Sequence, residues 1–300
     1  MERLVYIDGA IAEESKATVS VFDRGFLWGD GVYEITPCFA GRLFRLSDHL
    51  NRLYRSLRYI RIEPQLDREE MEQATLDLLE ANATRLEPDA MYRVGHFVSR
   101  GLDSPTMLAR DSGPPTVCIF FRTVDLTRYG RFLREGAQLT ITPTRRVAPE
   151  ALEARAKVTS KMNQILAELD ADASGALSLM LDRDGFVTEN SIANFFMVRD
   201  GALWTAPERN VLEGVTRGVV FELAGGLGLE VLERDFTTYD LAQADEFFLT
   251  SSAYCAIPVS RVDRFRPARG SPGPVTEALI DAFAKETGFD LRARALEASC

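Results

Sequence analysis

The sequence predicts an α+β fold built as two units, the first smaller than the second. Three observations predict it. The chain has 300 residues, more than one typical domain. Apolar runs of strand length come in pairs around turn signals, the mark of hairpins. Helix-length segments fall between those hairpins without the regular strand–helix alternation of a doubly wound sheet. Residues 1–124 read as a small α+β domain, 125–136 as an interdomain linker and 137–300 as the larger domain.

The elements follow in order. Apolar runs on either side of Asp8-Gly9 predict a hairpin, and 32–36 with 43–46 a second one across Ala40-Gly41. Ser47-Asp48 are suited to cap a helix over 49–59, where Leu50, Leu53, Tyr54 and Leu57 recur at helical spacing. A second helix is predicted over 68–83, then strands over 91–98 and 116–124. Between those strands, residues 101–115 are rich in Gly, Pro, Ser and Asp and read as a long loop of the kind that often carries function.

In the second half, 137–142 is a predicted strand. Residues 160–172 form a predicted helix with Met162, Ile165, Leu166 and Leu169 on its apolar face. Strand pairs follow at 177–181 and 186–188, then at 194–198 and 202–205 around Asp200-Gly201. Residues 216–224 predict a helix stopped by Gly225-Gly226. Strands at 230–235 and 246–249 and a helix over 275–287, closed by Gly288, complete the series.

Composition removes several functions. The net charge of −10 lacks the basic footprint of a nucleic-acid binder. No apolar run is long enough to span a bilayer and no secretory leader is evident, so a cytoplasmic location is expected. Cys38, Cys118, Cys255 and Cys300 show no CxxC spacing, and His49 and His96 are the only histidines. A Cys/His metal centre is therefore not expected. Gly225-Gly-Leu-Gly228 follows a helix and not a strand, so it reads as a helix stop and not as a dinucleotide loop.

Lysine is scarce: 31 of the 35 basic residues are arginine, leaving Lys16, Lys157, Lys161 and Lys285. Arginine replaces lysine in most surface roles but cannot form a Schiff base, so each lysine is a candidate. Lys16 and Lys285 lie in polar segments and read as solvated. Lys157 stands among small residues ahead of a helix, and Lys161 on its first turn; position alone leaves both open. Glu189 and Asn194 belong to a polar run between apolar strands, costly to bury unless partnered. The amides of Val215 and Thr216 open a helix, a geometry that suits an anion, and Thr250-Ser-Ser252 offers hydroxyls after a strand.

In this order these segments resemble the class-IV (fold type IV) pyridoxal-phosphate enzymes, the group of branched-chain aminotransferases, D-amino-acid transaminases, (R)-selective amine transaminases and aminodeoxychorismate lyases. The resemblance rests on Phe22-Asp-Arg-Gly-Phe-Leu-Trp-Gly-Asp-Gly-Val-Tyr-Glu34, His49-Leu-Asn-Arg-Leu53, Lys157, Glu189 with Asn194, Leu212-Glu-Gly-Val-Thr-Arg217, and Ala244-Asp-Glu-Phe-Phe-Leu-Thr-Ser-Ser252. It implies a two-domain fold of that type, pyridoxal 5'-phosphate as cofactor and amino transfer as the activity. In the family the cofactor lysine precedes the Glu-x-x-x-x-Asn motif by a little over thirty residues. Lys157 stands 32 residues before Glu189, and Lys161 28. The resemblance thus assigns the Schiff base to Lys157, with Lys161 the alternative because Lys157-Val-Thr-Ser-Lys-Met-Asn departs from the commonest family wording.

The resemblance also implies roles for the rest. Glu189 would face the pyridine nitrogen. Arg52, Val215, Thr216, Ser251 and Ser252 would hold the phosphate. Tyr33, Arg93 and Ala253 would line the substrate side. Asn194 would brace the Glu189 turn, His49 would be a packed structural residue, and Trp28 a wall or interface residue. The Arg-x-His pair by which D-amino-acid transaminases trap a carboxylate is absent after 91–98, whereas Arg93 matches the strand arginine of branched-chain enzymes, with Met91 in place of a neighbouring tyrosine. A hydrophobic amino donor with a 2-oxo acid acceptor is the favoured expectation. D-amino-acid or (R)-amine transamination, a lyase of the aminodeoxychorismate type and a non-catalytic relative are the alternatives. Family sites are completed by a loop from a second subunit, so a homodimer is expected, with residues 101–115 as that loop.

Overall fold

The computed structural model describes residues 2–172 and 174–299, so Cys300 lies outside the described residues. The chain separates into two compact units: Met1–Val124 with Ala156–Lys161, and Asp125–Arg155 with Met162–Cys300. The short segment around Lys157 thus groups with the first unit, although it follows the start of the second in sequence.

In the first unit, six antiparallel strands form one sheet: β1 (Leu4–Ile7), β2 (Ala10–Glu13), β3 (Gly31–Phe39), β4 (Arg42–Leu43), β5 (Met91–Ser99) and β6 (Val117–Thr123), in the order β2-β1-β6-β5-β3-β4. A short helix, α1 (Arg24–Trp28), precedes β3; α2 (Leu46–Ile60) and α3 (Arg68–Ala81) pack on one face of the sheet. Strand alternation sends Val32, Val94, Val98, Ile119 and Phe121 to that face, where they meet Leu50, Leu53 and Leu57 of α2 and Met71 and Leu78 of α3. The pattern is amphipathic helix on half-buried sheet.

α3 begins with a capping box between Asp67 and Glu70, as its sequence position invites. α2 differs from expectation. It starts at Leu46, and Ser47 does not cap it; the Ser47 hydroxyl accepts from Arg68 Nη2 at 2.6 Å. Tertiary pairing took the side chain that local capping wanted.

The second unit is built on a seven-stranded mixed sheet: β7 (Ala137–Ile141), β8 (Leu177–Leu179), β9 (Asn194–Arg199), β10 (Ala202–Thr205), β11 (Glu230–Glu233), β12 (Glu246–Ser251) and β13 (Tyr254–Val262), in the order β11-β10-β9-β12-β13-β7-β8. Its helices are α4 (Thr127–Glu135), α5 (Met162–Asp172), α6 (Val215–Gly226), α7 (Thr238–Leu241), α8 (Pro274–Thr287) and α9 (Leu291–Ala298). Phe195, Phe196, Phe247 and Phe248 fill the centre, with Phe196 stacked on Phe248 at 4.9 Å.

Four details depart from the sequence reading. Residues 125–136, expected as a linker, carry α4, which packs on α9. Gly130 makes that crossing possible, because a Cβ there would stand 2.3 Å from the Ala295 carbonyl oxygen. Glycine lowers helix propensity, which hides α4 from a propensity reading. Residues 186–188 form a single bridge, Leu181 to Val187, and no strand. α6 runs through Gly225 and Gly226, and the chain turns only at Gly228, whose φ is +71°. Finally, α5 buries Ala167 and Ala171, while Met162, Ile165, Leu166 and Leu169 are exposed. The helix presents its small residues to β7 and β8, where close approach needs them, and leaves its large apolar face outward.

Among the described residues no helix is long and apolar enough to cross a membrane. No group of three or more His, Cys, Asp or Glu there could hold a metal.

Candidate active site

Lys157 and Lys161 lie in the first unit. Residues 157–159 return along the open end of β3: Tyr33 N–H donates to the Lys157 carbonyl at 3.0 Å, and Thr159 N–H to that of Gly31 at 2.9 Å. The Lys157 amide donates to Ser56 Oγ on α2 at 3.1 Å. Both main-chain groups of Lys157 are therefore held. Its Nζ stands 4.4 Å from the centre of the Tyr33 ring, within cation–π range. Tyr33 stacks in turn on Phe97 at 5.2 Å, and Phe97 on Phe120 at 5.5 Å. Burial pushes the Tyr33 phenol up; the Lys161 ammonium, which hydrogen-bonds it, pulls the other way. Both candidate lysines thus border Tyr33, one on the ring face and one at the hydroxyl. Lys16 pairs with Glu13 at the surface, and Lys285 is exposed.

Beneath them lies a buried ion cluster that the sequence reading did not assign. Alternation along β3 turns Glu34 inward, next to Tyr33, which faces the other way. Arg52 Nε and Nη2 donate to the two Glu34 oxygens at 2.8 and 2.7 Å, and His49 Nδ1 lies 3.0 Å from Oε1. His49 and Arg52 are one helical turn apart on α2, so they share a face. Burial would raise the Glu34 pKa, but Arg52 and His49 more than reverse this and hold it well below the usual carboxylate range. Burial lowers the His49 pKa against the pull of the Glu34 carboxylate, toward which Nδ1 is turned. His49 Nε2 is buried with no hydrogen-bond partner among the described residues. His49 is packed, as expected, and also joins this cluster. The helix and strand periodicities together were the signal available for Glu34.

Glu189 lies in the second unit. Its Oε2 accepts from Asn194 Nδ2 at 3.0 Å and from the Leu212 amide at 3.1 Å. Asn194 also donates to the Leu212 carbonyl at 2.9 Å, tying the polar run to the loop before α6. Gly214 belongs to the same arrangement, since a Cβ there would meet Asn194 Oδ1 at 2.2 Å. The other oxygen, Oε1, takes Arg146 Nε at 3.0 Å and Nη2 at 2.9 Å. Arg146 lies 43 residues away and no local pattern points to it.

α6 begins at Val215 after Gly214, with no side chain capping its first amides, and Thr216 is buried there. α6 packs on β12, whose last residues are Thr250 and Ser251. Thr250 Oγ1 is buried with no hydrogen-bond partner among the described residues. Ser252 and Ala253 form the turn into β13, where the Ala253 amide donates to Ser251 Oγ at 3.3 Å. Uncapped amides and an unpartnered hydroxyl are groups whose chemistry suits an anion.

Arg93 is exposed on β5, on the sheet face that also carries Phe97. It pairs in register with Arg122 of β6, which sequence reasoning missed. Neither guanidinium forms an ion pair among the described residues. Met91 is buried at the start of β5. Trp28 is exposed, and its Nε1 donates to Asp103 at 3.3 Å, within a chain in which Arg24 joins Asp30 and Asp103 and so anchors the 101–115 loop to α1.

The amino-transferase class IV family model matches residues 31–262. A Methanocaldococcus jannaschii protein provisionally named a branched-chain-amino-acid aminotransferase is 34% identical over 282 residues, 93% of this chain and 94% of that one. The D-alanine aminotransferase of Listeria innocua is 32% identical over 285 residues, 94% of this chain and 95% of its own. The branched-chain amino acid aminotransferase of Thermobaculum terrenum, solved in its PLP-bound holo form, superposes with a TM-score of 0.83 at 27% identity, covering 98% of this chain and 96% of that chain. The site elements described above lie within the matched span except Trp28 and its partners before β3, and the chain belongs to the class IV aminotransferases, the fold type IV enzymes that use pyridoxal 5'-phosphate.

Proposed function

We propose that this aminotransferase moves an amino group between a hydrophobic amino acid and a 2-oxo acid, with Lys157 as the amine that captures the cofactor. The observation that carries the lysine assignment is the fixation of the Lys157 main chain by Tyr33 and Ser56, which sets its Nζ over the Tyr33 ring.

The residues fit the cofactor. The orphaned Thr250 hydroxyl and the uncapped α6 amides suit a phosphate, with Val215, Thr216, Ser251 and Ser252 as its holders. The buried Glu189 carboxylate suits a ring N–H. Arg52, which already pairs with Glu34, is assigned to the phosphate through the family motif alone. Bound pyridoxal phosphate supplies an aldehyde that takes up amines and a ring that withdraws electrons from the substrate carbon. Lys157 Nζ would be the amine that holds the cofactor and the base that would take up and return the substrate's proton. The Tyr33 phenol, kept protonated by burial, walls the substrate side and can donate a hydrogen bond. Ala253 offers a small, apolar neighbour at the β12–β13 turn.

Two like charges directly opposite on neighbouring strands are unfavourable unless an anion joins them. The Arg93–Arg122 pair therefore supports a substrate with a carboxylate over a simple amine, and the rings of Tyr33 and Phe97 support an apolar side chain. The test is the visible spectrum of the cofactor-loaded protein. L-leucine is expected to bleach the yellow band and a 2-oxo acid to restore it. Bleaching by D-alanine or an (R)-amine instead would replace the donor, and a yellow protein that releases pyruvate from aminodeoxychorismate without amino transfer would make it a lyase.

We also infer a homodimer. Val21, Phe22, Phe26 and Trp28 are exposed near the anchored 101–115 loop, whose Met107 and Leu108 are exposed too. Apolar exposure on this scale marks association. Sedimentation equilibrium should return twice the 33.4 kDa chain mass; an active species at the single-chain mass would refute it.

A further inference from the structure

An amino acid carries its carboxylate on the carbon that reacts, so that carboxylate must lie close to the amine that serves the reaction. The Arg93–Arg122 pair stands four residues along the sheet from the row that Tyr33 shares with Phe97, about 13 Å at the rise of a strand. It suits an anion at the far end of a substrate. The near carboxylate needs donors within reach of Lys157.

Such donors lie on the 157–161 segment, which belongs to the same compact unit as Tyr33. The Tyr33 amide donates to the Lys157 carbonyl, and Thr159 is held to Gly31 by its amide at 2.9 Å and to Gly29 by its hydroxyl at 2.8 Å. The segment so fixed brings two ammonium groups to one ring. Lys157 Nζ stands over the face, 4.4 Å from the centre, and Lys161 is at the hydroxyl. An ammonium donates and never accepts. Tyr33 Oη is therefore the acceptor in its bond with Lys161, and its own proton goes to a different acceptor. One O–H and one positive charge thus stand side by side at the ring edge nearest to Lys157 Nζ. A substrate amino group at the Nζ position, its neighbouring carboxylate and one hydrogen bond of about 2.7 Å cover that interval.

We propose that the Lys161 ammonium and the Tyr33 hydroxyl form the donor pair that holds the carboxylate on the substrate's reacting carbon, making Lys161 a specificity-determining residue for amino acids over simple amines. The proposal rests on the reading that Lys157 captures the cofactor. Lys161 acts twice. It donates to the carboxylate directly as a charged partner, and by occupying the acceptor side of Tyr33 Oη it directs the phenol proton to the same anion.

The test measures binding of two unreactive probes to the cofactor-loaded protein by calorimetry: 4-methylpentanoate and its neutral amide. Neither has an amino group to transfer, so their affinity ratio reads the carboxylate site apart from the apolar pocket. The wild type is expected to prefer the carboxylate. Lys161→Met should weaken the carboxylate roughly ten- to a hundredfold, the range for a hydrogen bond to a charged group, and leave the amide nearly unchanged. Tyr33→Phe, which keeps the ring and removes the O–H, should weaken the carboxylate about tenfold. Lys161→Arg keeps a cation and should retain more of the preference than Lys161→Met. A purely structural role would weaken both probes alike and leave the ratio at its wild-type value, which overturns the proposal. A Lys161→Met variant with the wild-type ratio but an altered pH titration of the cofactor band, read without any probe, overturns it too and assigns Lys161 to an oxygen of the cofactor. Borohydride mapping of the wild type separates the premise: reduced cofactor on Lys161 removes the reading of Lys157, and the proposal with it.

Discussion

Replacing Lys157 by alanine is expected to abolish covalent capture of the cofactor and to lower kcat by at least about four orders of magnitude, the scale seen when a nucleophile that belongs to a catalytic unit is removed. Borohydride reduction followed by peptide mass mapping reads the attachment directly. The wild type should carry the reduced cofactor on Lys157. Lys157→Ala should carry none, while Lys161→Ala should still carry it on Lys157. The contrast matters because both lysines border Tyr33, so a general loss of the pocket would affect the two variants alike. The main chain separates them: Lys157 is bonded on both sides to β3 and α2. A reduced cofactor mapped to Lys161 would reverse the assignment.

Arg52→Ala is expected to have the largest effect on stability. The substitution leaves the Glu34 charge buried without its main partner, a loss of about 3–5 kcal/mol, measurable by urea unfolding. Arg52→Leu combined with Glu34→Leu should recover much of it, since an apolar pair of similar size avoids the stranded charge. The pH dependence gives a second check. In the wild type the folded Glu34 pKa is depressed. Its contribution is therefore complete above the unfolded value of about 4.3 and is lost as pH falls through the lower folded value. In Arg52→Ala burial is opposed by His49 without Arg52, so the folded pKa rises above its wild-type position and the cost of charged Glu34 is relieved on protonation. The two stability curves should accordingly converge as the pH is lowered into the acid range. A constant gap down to the acid transition would mean that Glu34 is not the group responsible.

Much of the molecule was determined by the sequence itself. The helices over 46–60, 68–81 and 274–287 follow from apolar spacing and end signals, because burying one stripe is the dominant local demand. The scarcity of lysine shortened the list of amines to four, and the polar run from Glu189 to Asn194 between buried strands announced a partnered cluster before any partner was visible.

Only the tertiary structure decided the rest, and in each case the deciding contact joins residues distant in the chain. The return of 157–159 along β3 places Lys157 with the first unit. The α5 helix has a legible apolar stripe, yet the close approach of β7 and β8 selects Ala167 and Ala171 for burial. Arg146 reaches Glu189, and Arg122 comes to lie opposite Arg93, by sheet register and loop path, neither of which leaves a trace at short range. Local sequence sets which face of an element is apolar. Which neighbour that face meets, and which charges then share a buried site, depends on pairings whose partners lie tens of residues apart.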